Sequence, residues 1–202
     1  MRLGPLVVEA VDSARVEAFW AAALGESAQR AVLSFRPQLR PKTVKNRVHL
    51  DVYVRDIAPL LDLGARVLAE HQAWVTLADV EGNEVCAFGD PAAADQPPAR
   101  VFAVCTDSDR PEETAAWWAG MVGAEVRDGP DGTPRWLHDP AGWDGLIWKF
   151  VRVGDQRVVP NRWRWSVYDE AADAAELVDP DGNKFSVTRR AGRAGRSTSD
   201  AD

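Results

Sequence analysis

From Val48 to Arg55 the chain alternates without a break: Val48, Leu50, Val52 and Val54 take one side, and His49, Asp51, Tyr53 and Arg55 the other. A period of two is that of a β-strand with one face against a core. Leu6 to Val11 predicts a second strand. The rhythm then changes: Val16, Phe19, Trp20, Ala23 and Leu24 recur at helical spacing, preceded by the capping oxygens of Asp12 and Ser13 and closed by Gly25. Further on, Trp74 to Ala78 and Glu84 to Phe88 predict a hairpin around Asp79-Val80-Glu81-Gly82-Asn83, where Gly82 and Asn83 tolerate positive φ.

The same pattern occurs twice. Ala18-Phe19-Trp20 and Leu24-Gly25 return as Ala116-Trp117-Trp118 and Val122-Gly123. Phe35, Val44, Asn46, Arg47, Val52 and Tyr53 return as Phe150, Val159, Asn161, Arg162, Val167 and Tyr168. Asp79, Gly82 and Asn83 return as Asp179, Gly182 and Asn183. Three blocks in one order mark an internal repeat, with copies over 1–90 and 99–190, a Pro/Ala linker over 91–98 and a tail over 191–202 expected to be disordered. The spacing differs between copies. The second gains residues between its first two blocks, enough for two extra strands such as Arg135 to His138 and the start of Gly145 to Trp148. It loses residues where the first has Ile57 to Ala65, so it is expected to lack that short helix. In the second copy Asp107, Ser108 and Asp109 precede Pro111, the expected start of the Trp117-Trp118 helix.

Of the 202 residues, 46% are apolar and the net charge is −7, an ordinary globular composition that argues against a nucleic-acid surface. The acidic excess serves solubility, or attracts a cationic small molecule. No apolar run approaches membrane-spanning length and the start carries no signal-peptide pattern, so the expected compartment is the cytoplasm. Cys86 and Cys105 have no metal-type spacing and form no disulfide framework.

The Phe-Trp helix ending in Leu24-Gly25, the run Lys45-Asn46-Arg47-Val48-His49-Leu50-Asp51, and Asp79-Val80-Glu81-Gly82-Asn83-Glu84-Val85-Cys86 together resemble the glyoxalase-like branch of the vicinal oxygen chelate superfamily. The resemblance implies an α+β fold of two tandem glyoxalase-like domains, 1–90 and 99–190, built from βαβββ modules whose curved mixed sheets form cups for small molecules. Metal-dependent members place His, Gln or Glu on the first strand of a module and Glu on its last; others, of the bleomycin-resistance type, bind a drug without metal.

The matching positions are eroded here. They fall on Pro5, His49 and Cys86 in the first copy and on Arg100, Arg164 and Ser186 in the second. Two cations repel a metal, and a thiol is a soft partner for magnesium, manganese or iron. No cofactor is therefore expected, with a divalent metal held by Glu9, His49 and Glu84 kept as an alternative. If the pleat is continuous, Glu9, His49, Asp51, Glu84 and Cys86 share an acidic first cup, with Tyr53 also on the His49 side of its strand and Trp74 on the Thr76 face as an aromatic wall. A basic, hydroxyl-rich second cup would present Arg164, Ser166, Tyr168, Lys184 and Ser186. His49 is read either as a histidine satisfied by a neighbouring acid or as a ligand contact and general base; His71 and His138 are read as structural or surface residues. Of the nine tryptophans, Trp20, Trp117, Trp118, Trp163 and Trp165 are assigned to the core. Trp74, Trp136, Trp143 and Trp148 are candidate pocket walls, Trp143 as a lid.

Three functions stay open at this point: metal-free binding of a small organic molecule, such as an antibiotic or toxic metabolite; a lyase, isomerase or dioxygenase built on His49; and a non-catalytic scaffold that dimerises.

Overall fold

A computed structural model describes residues 1–155 and 157–189; the tail expected over 191–202 lies outside them. The first copy contributes β1 (Arg2–Leu3), β2 (Leu6–Ala10), α1 (Ser13–Leu24), α2 (Glu26–Val32), β3 (Leu33–Pro37), β4 (Val48–Val54), α3 (Ala58–Asp62), β5 (Arg66–Glu70), β6 (Val75–Ala78) and β7 (Glu84–Gly89). The second contributes β8 (Ala99–Ser108), α4 (Pro111–Val122), β9 (Glu125–Asp128), β10 (Pro134–His138), β11 (Ile147–Arg152), β12 (Trp163–Tyr168), β13 (Ala175–Val178) and β14 (Lys184–Thr188).

The strands exchange between copies. One sheet runs β5-β6-β7-β4-β8-β11-β10-β9, and the other β13-β14-β12-β2-β3 with β1 beside β12. In each, the last strands of one copy meet the first strands of the other across an antiparallel seam, β4 with β8 and β12 with β2. One hydrophobic core joins α1, α4 and the inner faces of both sheets, with Trp20, Trp118, Trp148, Trp163 and Trp165 its largest fully buried side chains. The outward face of each sheet is the cup face.

The repeated blocks meet in space. In the first copy the Trp20 indole donates to the Asp79 carboxylate at 3.1 Å; Asp79 also accepts from the backbone N–H and side-chain amide of Asn83, whose Oδ1 accepts from the Asn46 amide. In the second, Trp118, Asp179, Asn183 and Asn161 make the same network. The motif that recurs most clearly in the sequence is thus a clamp joining helix, loop and hairpin, not a set of reactive groups. Repeated arginines tie the copies together: Arg47 reaches Asp155, and Arg162 reaches the Glu9 and Arg40 carbonyls and the Glu81 carboxylate.

Local expectations hold where local chemistry sets them. Asp12 caps α1 and Gly25 follows it at φ 77°. The second copy has no helix between β12 and β13 among the described residues. Other expectations need correction. The inserted strands of the second copy are β9 and β10, where the first copy has α2; Ile147–Arg152 is instead the counterpart of β3, sharing the repeated phenylalanine. The residue before Pro111 at the start of α4 is Arg110, which provides no side-chain cap.

Candidate functional site

The cup face of the eight-stranded sheet carries the chemistry, and register dictates which side chains reach it. Across β10, β11, β8 and β4, the residues Trp136, Lys149, Cys105 and His49 lie side by side. The next row is Thr76, Cys86, Asp51 and Ala103. A bulge in β8 opposite Asp51 and Val52 adds an extra residue, Phe102, whose ring stacks on Tyr53 at 4.0 Å. Phe88 packs against Phe102 at 5.3 Å and Trp74 stacks on Phe88 at 5.7 Å, extending the aromatic patch to the sheet edge.

Asp51 is the hub. Its Oδ2 accepts from the Lys149 ammonium at 2.9 Å and from the Cys105 thiol at 3.1 Å, and its Oδ1 lies 3.5 Å from His49 Nε2. Only 3% of Asp51 is exposed, so the partners offset a large desolvation cost. Burial favours the neutral carboxylic acid, but hydrogen bonding to His49 and the charge of Lys149 outweigh it and hold the Asp51 pKa below its ordinary value. Burial pushes the Cys105 thiol up to about 11. For His49, burial opposes the imidazolium, yet the neighbouring Cys105 and Cys86 sulfurs and the Asp51 carboxylate raise its pKa well above the usual 6.5. Since Cys105 stays neutral below about 11, the charge supporting the imidazolium near neutral pH is that of Asp51.

The Lys149 ammonium lies 4.6 Å from the ring centre of Phe102, 5.1 Å from Trp136 and 5.7 Å from Phe88, a cation enclosed by aromatic faces. At the rim, exposed His71 stacks on Trp74 and its Nε2 lies 3.2 Å from the Thr76 hydroxyl, which neighbours the Cys86 sulfur at 3.8 Å. Arg100 lies over Tyr53.

His49, Asp51, Tyr53, Trp74 and Cys86 therefore come together as the alternation indicated. Glu9 does not join them, because β2 belongs to the other sheet. There it pairs with Arg164 and accepts from Gln38 at 3.3 Å. Glu84 is pinned by Lys42 at 2.7 Å and by the Asn46 N–H at 3.1 Å. The metal candidate Glu9–His49–Glu84 is accordingly not assembled. Nor are the cups separately acidic and basic. Strand exchange brings Lys149 to Asp51, Arg100 to Tyr53 and Glu9 to Arg164, while Ser186 lies in register with Ser166 and Tyr168 with Arg2 on the second sheet. Trp148 is fully buried, since its parity places it on the core side, where its indole donates to Thr106 at 2.9 Å. Trp143 is no lid: it is 2% exposed, packs on Trp148 at 5.2 Å and donates to the Gly4 carbonyl.

Lys149, Phe88, Phe102 and Cys105 join the site without having been expected there. The alternation Trp148-Lys149-Phe150 does signal a lysine on a cup face, but only the pairing of β11 with β8 says which cup.

His49, Asp51 and Cys86 place one imidazole, one carboxylate and one thiol within 4.8 Å of one another, the grouping among the described residues that could hold a metal ion. The hard divalent set implied by the family resemblance does not fit. It lacks a second carboxylate, includes a soft sulfur, and its carboxylate already carries an ammonium.

The family model for the glyoxalase-like domain matches residues 5–88 and 103–179, nearly all of both copies. The chain belongs to the glyoxalase-like domain family. Solved structures agree on the fold. Glyoxalase I from Zea mays aligns at TM-score 0.59 and 11% identity, covering 93% of this chain and 92% of that one. A variant of the maize enzyme aligns at 0.60 and 12%, with coverages of 93% and 92%. A Bacillus subtilis protein provisionally described as a dioxygenase aligns at 0.59 and 10%, covering 94% and 85%. At these identities the likeness concerns the fold alone. No curated protein matches the chain. No helix among the described residues is long and apolar enough to cross a membrane.

Proposed function

We propose that this glyoxalase-like protein binds a small organic molecule, without a metal, on the cup face around His49, Asp51 and Lys149. The observation that carries the reading is the Lys149 ammonium 2.9 Å from Asp51 Oδ2, on a side chain only 12% exposed. A divalent ion ligated by Asp51 would have to share the carboxylate with a fixed cation in a desolvated setting, where like charges are costly. Metal-free capture of an antibiotic or toxic metabolite is in keeping with such a site.

Elemental analysis of the full chain, purified without chelator, tests the proposal. We expect no stoichiometric divalent metal, and thermal melts unmoved by added zinc or manganese. One metal per chain, lost in His49→Ala or Cys86→Ser, would sink the metal-free reading in favour of a metalloprotein.

A further inference from the structure

The hydrogen-bonding capacity left open on this face is strongly one-sided. The Lys149 ammonium has three donors, and Asp51 takes one of them. Trp136 Nε1, a donor and nothing else, is buried with no partner. His49 Nδ1 is likewise buried and unpartnered on a residue only 9% exposed. Its Nε2 faces the Asp51 carboxylate. The carboxylate, by contrast, is engaged. Asp51 meets His49 through one oxygen and Lys149 and Cys105 through the other.

Buried polar groups without partners are costly and uncommon, so a face left with spare donors lacks an acceptor. The aromatic faces of Phe102, Trp136 and Phe88 are already turned to the Lys149 ammonium. A cationic ligand seeking those rings would meet that charge, whereas the edge of a planar anion complements both.

We infer that this face recognises a planar aromatic anion, a carboxylate-bearing ring whose oxygens take the free N–H groups of Lys149 and Trp136, neighbours across β11 and β10, while the ring meets the edges of Phe88 and Phe102. The inference rests on the metal-free binding reading and adds the chemical class of the ligand.

Isothermal titration of the full chain with benzoate, 2-naphthoate, benzamide and benzamidinium, each with and without EDTA, tests it. The carboxylates should bind, benzamide about tenfold or more weakly, and benzamidinium not at all, since a charge-assisted hydrogen bond is worth at least one decade. Trp136→Phe keeps a ring and removes the N–H, so it should narrow the carboxylate-to-amide ratio several-fold, a change that a purely structural role would not produce. Lys149→Met should abolish carboxylate binding. Because it strands Asp51, the pair Lys149→Met/Asp51→Asn serves as the folded control and should fail to bind as well. Equal binding of benzoate and benzamide, preference for benzamidinium, or carboxylate binding that survives in the folded double variant would overturn the anion inference while leaving a binding site in place. Carboxylate binding lost on chelation would instead overturn the metal-free reading. Silence toward all four compounds would overturn both.

Discussion

At the residue scale, the ionic trio of His49, Asp51 and Lys149 links pH to stability through two groups that shift in opposite directions. The Asp51 pKa is depressed in the fold, so its contribution is present above the ordinary carboxylate range near 3.9 and is lost as pH falls through the folded value. The His49 pKa is raised, so its contribution is complete below about 6.5 and fades as pH climbs through the folded value. Together they give greatest support between roughly pH 4 and 6.5. Thermal melts of the wild type and of His49→Gln across pH 4 to 9 separate the terms. The variant should lose most at the acid end of that range and converge on the wild type as pH rises. A gap that widened toward alkaline pH would contradict the assignment of His49 as a stabilised cation.

At the element scale, the same small network holds helix, loop and hairpin in each copy, although the two sequences around it have diverged. The side chains of Asp79 and Asp179 each accept from a helix indole and from an asparagine that is bonded to a second asparagine. Asp79→Ala strands the Trp20 indole N–H and the Asn83 and Glu81 backbone N–H groups, and should cost about 3 kcal/mol or more in denaturant melts, with Asp179→Ala similar. Asn at either position, able to keep some acceptors, should cost less; an Ala variant as stable as wild type would show the clamp to be dispensable. Such local chemistry was legible in advance: the turn residues, the helix stripe and the alternation of β4 each rest on short-range periodicity. Strand partners were not, because hydrophobic patterning says which side of a strand is buried but not what lies beside it. That gap explains the misplaced Glu9 and the unforeseen Lys149, whereas Trp148 follows from the alternation of its own strand. Glu9 follows β2 into the other sheet, Trp148 has the parity of the core, and Lys149 reaches His49 only through β11 and β8.

At the scale of the whole molecule, exchange of strands makes the site a joint product of both copies. His49, Asp51 and Cys86 come from the first copy, and Lys149, Cys105, Phe102 and Trp136 from the second. The seams are backed by contacts that cross the linker in the other direction. The Leu3 N–H donates to the Ala141 carbonyl at 2.7 Å, and a Cβ on Gly142, whose φ is 104°, would come within 2.0 Å of the Leu3 carbonyl oxygen. A segment spanning 1–98 alone would leave β4 without β8 and β2 without β12, exposing two central strand edges and the apolar residues behind them. We therefore expect that segment, and its complement 99–202, to aggregate or to unfold without a cooperative transition when expressed separately. Mixed during refolding, they should reconstitute a complex with the near-ultraviolet dichroism of the intact chain, since Trp20 packs on Trp163, and the Trp163 and Trp143 indoles donate to Asn83 and Gly4, across the two copies. Cooperative unfolding of an isolated segment, with indole signals already fixed, would show that each copy is a self-sufficient domain and that the His49 site is assembled by docking rather than by folding.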